Sequence, residues 1–167
     1  CANNVQEVLD LGLVAHLSTL EAQVPFLAFF DGFRTSHEVQ KVDELTYEDM
    51  YTLVDEKYVR RFRDRAMRPE KPVLRVAAQN EDVYFQGRET VNKYYEALPE
   101  IVQKYMDKVA KLTGRTYHLF DYVGAPDATD VVVIMGSGAD TVEWASDYIN
   151  ERGGSTGVLK VRLYRPF

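Results

Sequence analysis

At 167 residues and 19.2 kDa, with 46% hydrophobic and 28% charged residues, the chain has the apolar content of a globular protein and lacks the signature of a disordered one. Its formal net charge of -6 and pI near 5.1 argue against a nucleic-acid binder, which needs a basic face to displace phosphate counterions. Cys1 is its one cysteine, which excludes an intrachain disulfide or a multi-thiolate zinc or iron–sulfur site within the chain, and no apolar run approaches the roughly 20 residues of a membrane-spanning helix.

Val5, Val8, Leu9, Leu13, Val14, Leu17 and Leu20 recur at three- and four-residue spacing, which predicts an amphipathic helix with Asn3, Asn4 and Glu7 as its cap. Val24 to Phe30 is an almost unbroken apolar run of strand length, the pattern of a strand buried on both faces of a parallel sheet. Thr46 and Asp49 have the spacing of a capping box and predict a helix through Val54, and a further helical stretch runs to Met67. Arg60, Arg61, Arg63, Arg65, Arg68 and Lys71 cluster there among acidic residues and read as the solvated face of a helix. Pro69 and Pro72 stop it, and Val73 to Tyr84 is expected to be extended chain with a turn at Gln79 to Asp82.

From Glu89 to Leu112 the apolar spacing is again helical, with Pro99 splitting or kinking the helix and Gly114 closing it. Tyr117 to Val123 reads as a strand, and the small and turn-forming residues from Gly124 to Asp130 mark a boundary between residues 1–126 and 130–167. Beyond it, Val131 to Met135, Thr141 to Glu151 and Val158 to Leu163 predict a strand, helix, strand crossover. The expected fold class is therefore α/β, with parallel-sheet layers, flanking helices and parts of two domains. Cys1 stands where an initiator Met would, and the last strand stops at Arg165-Pro166-Phe167, so the expectation is a piece of a longer polypeptide.

Two segments draw functional attention. Asp31, Gly32, Arg34, Thr35, Ser36, His37 and Glu38 follow the first strand candidate, and open α/β sheets bind ligands beyond the carboxyl ends of their strands. There Arg34 would hold a carboxylate and His37 relay a proton. Equally, Asp31 and Thr35 or Ser36 would simply cap the turn, with His37 oriented by them. Gly136-Ser137-Gly138 suits a phosphate cradle, but Thr141 stands where the dinucleotide fingerprint needs its third glycine, so a structural turn is the better reading. His16 and His118 have no neighbouring ligand at metal spacing and read as structural; no catalytic residue and no metal site is assigned. Glu81 to Gly87 fits a recognition sequence used to cleave purification tags, yet lies between two coherent segments.

Long strings identify the family that the chain resembles. Asn4-Val5-Gln6-Glu7, Phe29-Phe30-Asp31-Gly32-Phe33-Arg34-Thr35-Ser36-His37-Glu38, Tyr84-Phe85-Gln86-Gly87-Arg88-Glu89, Phe120 to Ala128, Met135-Gly136-Ser137 and Val161 to Phe167 resemble pyruvate:ferredoxin (flavodoxin) oxidoreductase over essentially the whole chain. The resemblance implies an internal part of a large dimeric enzyme that decarboxylates pyruvate on thiamine diphosphate with Mg. Electrons pass through iron–sulfur clusters to ferredoxin or flavodoxin, and acetyl-CoA forms from CoA; the compartment is left open between the cytoplasm and an anaerobic organelle such as a hydrogenosome. Residues 1–126 resemble the rear of a pyrimidine-binding-like domain and residues 130–167 the start of a transketolase C-terminal-like one. The piece is expected to be inactive alone, to hold no cofactor by itself, and to need neither nucleic acid nor membrane. One departure stands out: Val76-Ala77 replaces the family's Gly-Thr before Ala78-Gln79-Asn80. The alternatives are a non-catalytic interaction module or an oxidoreductase for another 2-oxoacid.

Overall fold

A computed structural model describes residues 1–73 and 78–166. Along them run helices α1 (Val5–Ala22), α2 (Tyr47–Thr52), α3 (Glu56–Asp64), α4 (Glu81–Glu89), α5 (Asn92–Glu96), α6 (Leu98–Thr113) and α7 (Gly138–Asn150). The strands are β1 (Phe120–Gly124), β2 (Asp130–Ile134) and β3 (Thr156–Val161). The Val76-Ala77 departure lies outside the described residues.

Helix α1 starts at its expected cap, where the Asn4 side chain accepts a hydrogen bond from the Glu7 amide at 3.0 Å. The Glu7 carboxylate reaches back to the Asn3 amide at 2.9 Å, one residue before the usual capping-box partner. Val14 and Leu17 turn inward against Val102, Tyr105, Met106 and Val109 of α6, and Tyr117 and Leu163 close this core. Pro99 sits in the first turn of α6, where its missing N–H costs nothing, and so separates α6 from α5. Gly114 ends α6 at φ +77°. The capping box of α2 is present in both directions, with Thr46 Oγ1 accepting from the Asp49 amide at 3.1 Å and Asp49 accepting from the Thr46 amide at 3.2 Å.

The strands form one sheet in the order β1-β3-β2. β2 and β3 pair in parallel, Asp130 beside Thr156, with α7 between them in sequence and packed on the sheet, so the expected crossover is present. β1 enters antiparallel, Phe120 beside Val161, which makes the α/β sheet mixed where a parallel one was expected. β1 and β3 approach closely at two glycines: a Cβ on Gly124 would stand 2.6 Å from the Thr156 carbonyl oxygen, and one on Gly157 would stand 2.1 Å from the Tyr122 hydroxyl.

Two expectations fail. Val24–Phe30 forms no strand. Its sequence supplies the apolar residues, but a strand exists only as one side of a ladder. Among the described residues its one backbone hydrogen bond is from the Ala2 amide to the Phe29 carbonyl at 3.0 Å. Val24 is buried and Phe26 packs on the core, while Leu27 beside Phe26 is 83% exposed. Glu81–Tyr84, expected as extended chain, opens α4 instead. Asn80, Glu81 and Asp82 place a cap-type residue and two carboxylates at a helix N-terminus, a local signal that outweighs the strand preference of Val83, Tyr84 and Phe85.

Candidate functional site

The loop after residue 30 is organised by one carboxylate. Asp31 Oδ1 accepts hydrogen bonds from the amides of Arg34 at 2.8 Å and Thr35 at 3.0 Å, and Oδ2 accepts from Thr35 Oγ1 at 2.9 Å. This is the Asx turn that a short acidic side chain forms with its own backbone. Oδ2 also accepts from the Ser137 amide at 3.3 Å, so the loop is tied to the N-terminal end of α7, 106 residues on. Hydrogen bonding from Ser137, then from Thr35 and Arg34, holds the Asp31 carboxyl well below the ordinary aspartate range.

Around this tie the other candidates take distinct places. Thr35 is buried, whereas Gly32, Ser36 and His37 are exposed. Arg34 is 57% exposed on its side chain; its Nε donates to Glu38 at 2.8 Å and its Nη1 to Thr141 Oγ1 at 3.4 Å. Ser36 Oγ donates to the Gly32 carbonyl and lies 2.8 Å from His37 Nδ1. A hydroxyl has one proton to give, so His37 Nδ1 is the donor to Ser36 and Nε2 is left as the acceptor. His37 is therefore not poised as a base on Ser36, and the pair is no nucleophile.

The two segments that the sequence singles out thus meet, with Asp31 and Arg34 on one side and Ser137 and Thr141 on the other. Gly136 takes φ +77° to turn the chain into α7. The Ser137 amide that a phosphate would need is occupied by the Asp31 carboxylate, so the Gly136-Ser137-Gly138 turn is structural, as its missing third glycine suggests. Thr141 was legible only as an absent glycine.

Two polar clusters escaped the sequence reading. Asp10 is fully buried on α1 and accepts from Arg115 Nε at 2.6 Å, Arg115 Nη2 at 2.9 Å and the Tyr117 hydroxyl at 2.7 Å. Burial, then the bond to Asp10, pushes the Tyr117 phenol well above its ordinary value. Glu7 pairs with buried Arg162, Oε1 to Nη2 at 2.8 Å and Oε2 to Nε at 3.2 Å, and Arg162 also holds Asp121. Asp121 in turn binds His118 Nδ1 at 2.7 Å, which gives that histidine a structural partner; His16 is exposed on α1. No periodicity signals either cluster, since the links from Asp10 to Arg115 and from Glu7 to Arg162 span 105 and 155 residues. Of the basic residues at 60–71, all but Arg61 are exposed; Arg61 donates to the carbonyls of Leu20 and Glu21 and caps the end of α1. An apolar groove of about 580 Å3, lined by Leu11, Phe26, Phe29, Leu98 and Leu163 among others, runs between α1, residues 24–30 and α6. Among the described residues no group of three or more His, Cys, Asp or Glu is placed to hold a metal ion, and no helix is long and apolar enough to cross a membrane.

Comparison with known proteins gives two adjacent matches. Residues 1–107 match the family described as pyruvate flavodoxin/ferredoxin oxidoreductase, thiamine diP-bdg, and residues 128–167 match pyruvate:ferredoxin oxidoreductase core domain II. The chain is 60% identical over 164 residues to the pyruvate:ferredoxin oxidoreductase of Moorella thermoacetica, covering 98% of this chain and 14% of that protein. It is 54% identical over 165 residues to the pyruvate-flavodoxin oxidoreductase of Enterobacter agglomerans, covering 99% of this chain and 14% of the relative. To the pyruvate dehydrogenase [NADP(+)] of Cryptosporidium parvum it is 53% identical over 167 residues, 99% of this chain and 9% of that protein.

Proposed function

The chain belongs to the pyruvate flavodoxin/ferredoxin oxidoreductase family, and from that premise we propose that it is one part of an enzyme that oxidatively decarboxylates pyruvate on thiamine diphosphate and forms acetyl-CoA. Electrons leave through iron–sulfur clusters to ferredoxin or flavodoxin, and the parent enzyme is a homodimer. Identity of 60% across 98% of the chain supports this reading, as do two oxidoreductase matches in sequence order. Residues 1–126 form the rear of the pyrimidine-binding-like domain and residues 130–167 the start of the transketolase C-terminal-like one.

The residues of this chain do not fit the cofactor by themselves. The helix N-terminus best suited to a diphosphate is filled by Asp31, and no carboxylate or histidine cluster among the described residues suits Mg. In this reading thiamine diphosphate, Mg and the clusters are held with the remaining polypeptide, and the share of this chain is scaffold and one wall.

That share is carried by a single observation, the tie from Asp31 to Ser137 that fixes the loop against α7. Gly32 and Thr35 shape the loop, Ser36 fixes the tautomer of His37, and Arg34 offers a guanidinium that pairs with carboxylate or phosphate. Arg34→Ala in the full-length enzyme is expected to raise the KM for pyruvate or CoA about tenfold or more, the worth of a charged hydrogen bond. Unchanged KM values for both would remove Arg34 from the site.

A further inference from the structure

Separate family matches cover residues 1–107 and 128–167, and the Arg34 site draws on both: Asp31 and Arg34 come from the first part, Ser137 and Thr141 from the second. The two bonds that join them are long, 3.3 Å from the Ser137 amide to Asp31 and 3.4 Å from Arg34 Nη1 to Thr141. They sense how the two parts are aligned but are too weak to set it. A much stronger contact between the parts is buried nearby. Glu7 and Arg162 are each 7% exposed on their side chains, and the guanidinium lies as a fork on the carboxylate. Arg162 is held on its other sides as well. Its Nη1 donates to Asp121 and, at 3.4 Å, to the His118 carbonyl; its amide donates to the Leu119 carbonyl at 2.9 Å; and its own carbonyl accepts from the Cys1 nitrogen at 2.7 Å.

Short spans lead from this fork to both sides of the site. Glu7 Oε2 also accepts the Asn3 amide at 2.9 Å, and the neighbouring Ala2 amide donates to the Phe29 carbonyl at 3.0 Å, two residues before Asp31. Arg162 directly follows the central strand β3, which sets Lys160 beside Ile134 of β2, and Ile134 stands three residues before Ser137. The fork and the Asp31–Ser137 bond are thus opposite sides of one closed ring, whose arms are the start of a helix and a sheet. Desolvation offsets most of what a buried pair contributes to stability, whereas its planar fork fixes two elements in one relative position. We propose that Glu7 and Arg162 are positioning residues for the site, holding the two parts where Arg34 is presented beside Thr141. This rests on the reading that Arg34 contacts substrate. Arg162→Lys keeps the charge but cannot bridge both carboxylate oxygens, and Glu7→Gln keeps the shape while losing the charge. Either lets α1 shift on the sheet, so that Arg34 moves without being altered.

The test is a double-mutant cycle in the full-length enzyme. Arg162→Lys and Glu7→Gln are each expected to raise the KM that Arg34→Ala raises, by about threefold or more, with kcat changed by less than about twofold. In an Arg34→Ala background the same substitutions should raise it no further, because the group they misplace is gone. Should Arg162→Lys fail to fold, Glu7→Gln, which leaves the buried arginine a hydrogen-bond partner, carries the test alone. A pair that only stabilises the fold would lower the melting temperature and the kcat per mole of protein and leave KM alone. That result, or a KM effect that multiplies with that of Arg34→Ala, overturns the proposal. If Arg34→Ala itself leaves KM unchanged, the reading of Arg34 falls with it; if only the pair's substitutions do, positioning alone falls.

Discussion

Asp10 has no exposed surface, and three donors from Arg115 and Tyr117 converge on its two oxygens. Removing one member of a buried ion pair strands the other, at about 3–5 kcal/mol. Asp10→Ala is therefore expected to lower the melting temperature by roughly 6–20 °C in a domain of this size, read by circular dichroism. A loss of a degree or two would mean that solvent reaches Arg115 and Tyr117. Asp31 acts differently, because its carboxyl is held below the ordinary value of 3.8 by bonds to the loop and to Ser137. A depressed aspartate contributes stability above its unfolded value and loses it as pH falls. The tie between loop and α7 is thus complete at neutral pH and released only in strong acid. Amide resonances of Arg34, Thr35 and Ser137 should titrate together with a midpoint well below 3.8 and lose that titration in Asp31→Asn. A midpoint at 3.8 or above would show that the bonds do not form in solution. The sequence marked Asp31 as a turn-maker because its partners Arg34 and Thr35 are neighbours. Its bond to Ser137, like the burial of Asp10, was illegible because it depends on which segments meet in space.

At the scale of elements, local chemistry was read well and pairing was not. Thr46 with Asp49, Asn4 with Glu7, Pro99 and Gly114 each act within four residues, and each does in the fold what its spacing implies. Val24–Phe30 has the right residues for a strand but no neighbouring strand among the described residues to complete it, and Arg61 caps a helix 40 residues earlier. The sheet depends on such a meeting at Gly124, which has φ +107° and faces Thr156 and Gly157 backbone atoms at 2.6 and 2.9 Å from any added Cβ. Backbone cannot rotate away as a side chain can. Gly124→Ala is expected to cost about 2 kcal/mol or more, seen as a lower urea midpoint with unchanged slope. An unchanged midpoint would show that β1 can shift on β3.

For the molecule as a whole, the α/β class and the crossover of β2, α7 and β3 were legible because strand and helix periods differ. The mixed sheet was not, because nothing in β1 announces an antiparallel partner. The chain spans 14% of the length of its Moorella and Enterobacter relatives, and among the described residues no group of three or more His, Cys, Asp or Glu is placed to hold a metal ion. Titration calorimetry of the 167-residue chain with thiamine diphosphate and Mg is accordingly expected to show no specific heat. Saturable heat would place cofactor contacts here.

The Glu7 to Arg162 pair also sets a clock. Its partners are 155 residues apart, and closing so long a loop costs roughly 4.5 kcal/mol of chain entropy beyond a constant. During synthesis at about 5–20 residues per second, Arg162 follows Glu7 by roughly 8–30 s. For that interval α1 waits on the ribosome with its acidic cap unpaired and the Leu163 side of its apolar stripe uncovered. Until Arg162 and Leu163 arrive, α1 is therefore a stretch open to aggregation or chaperone capture.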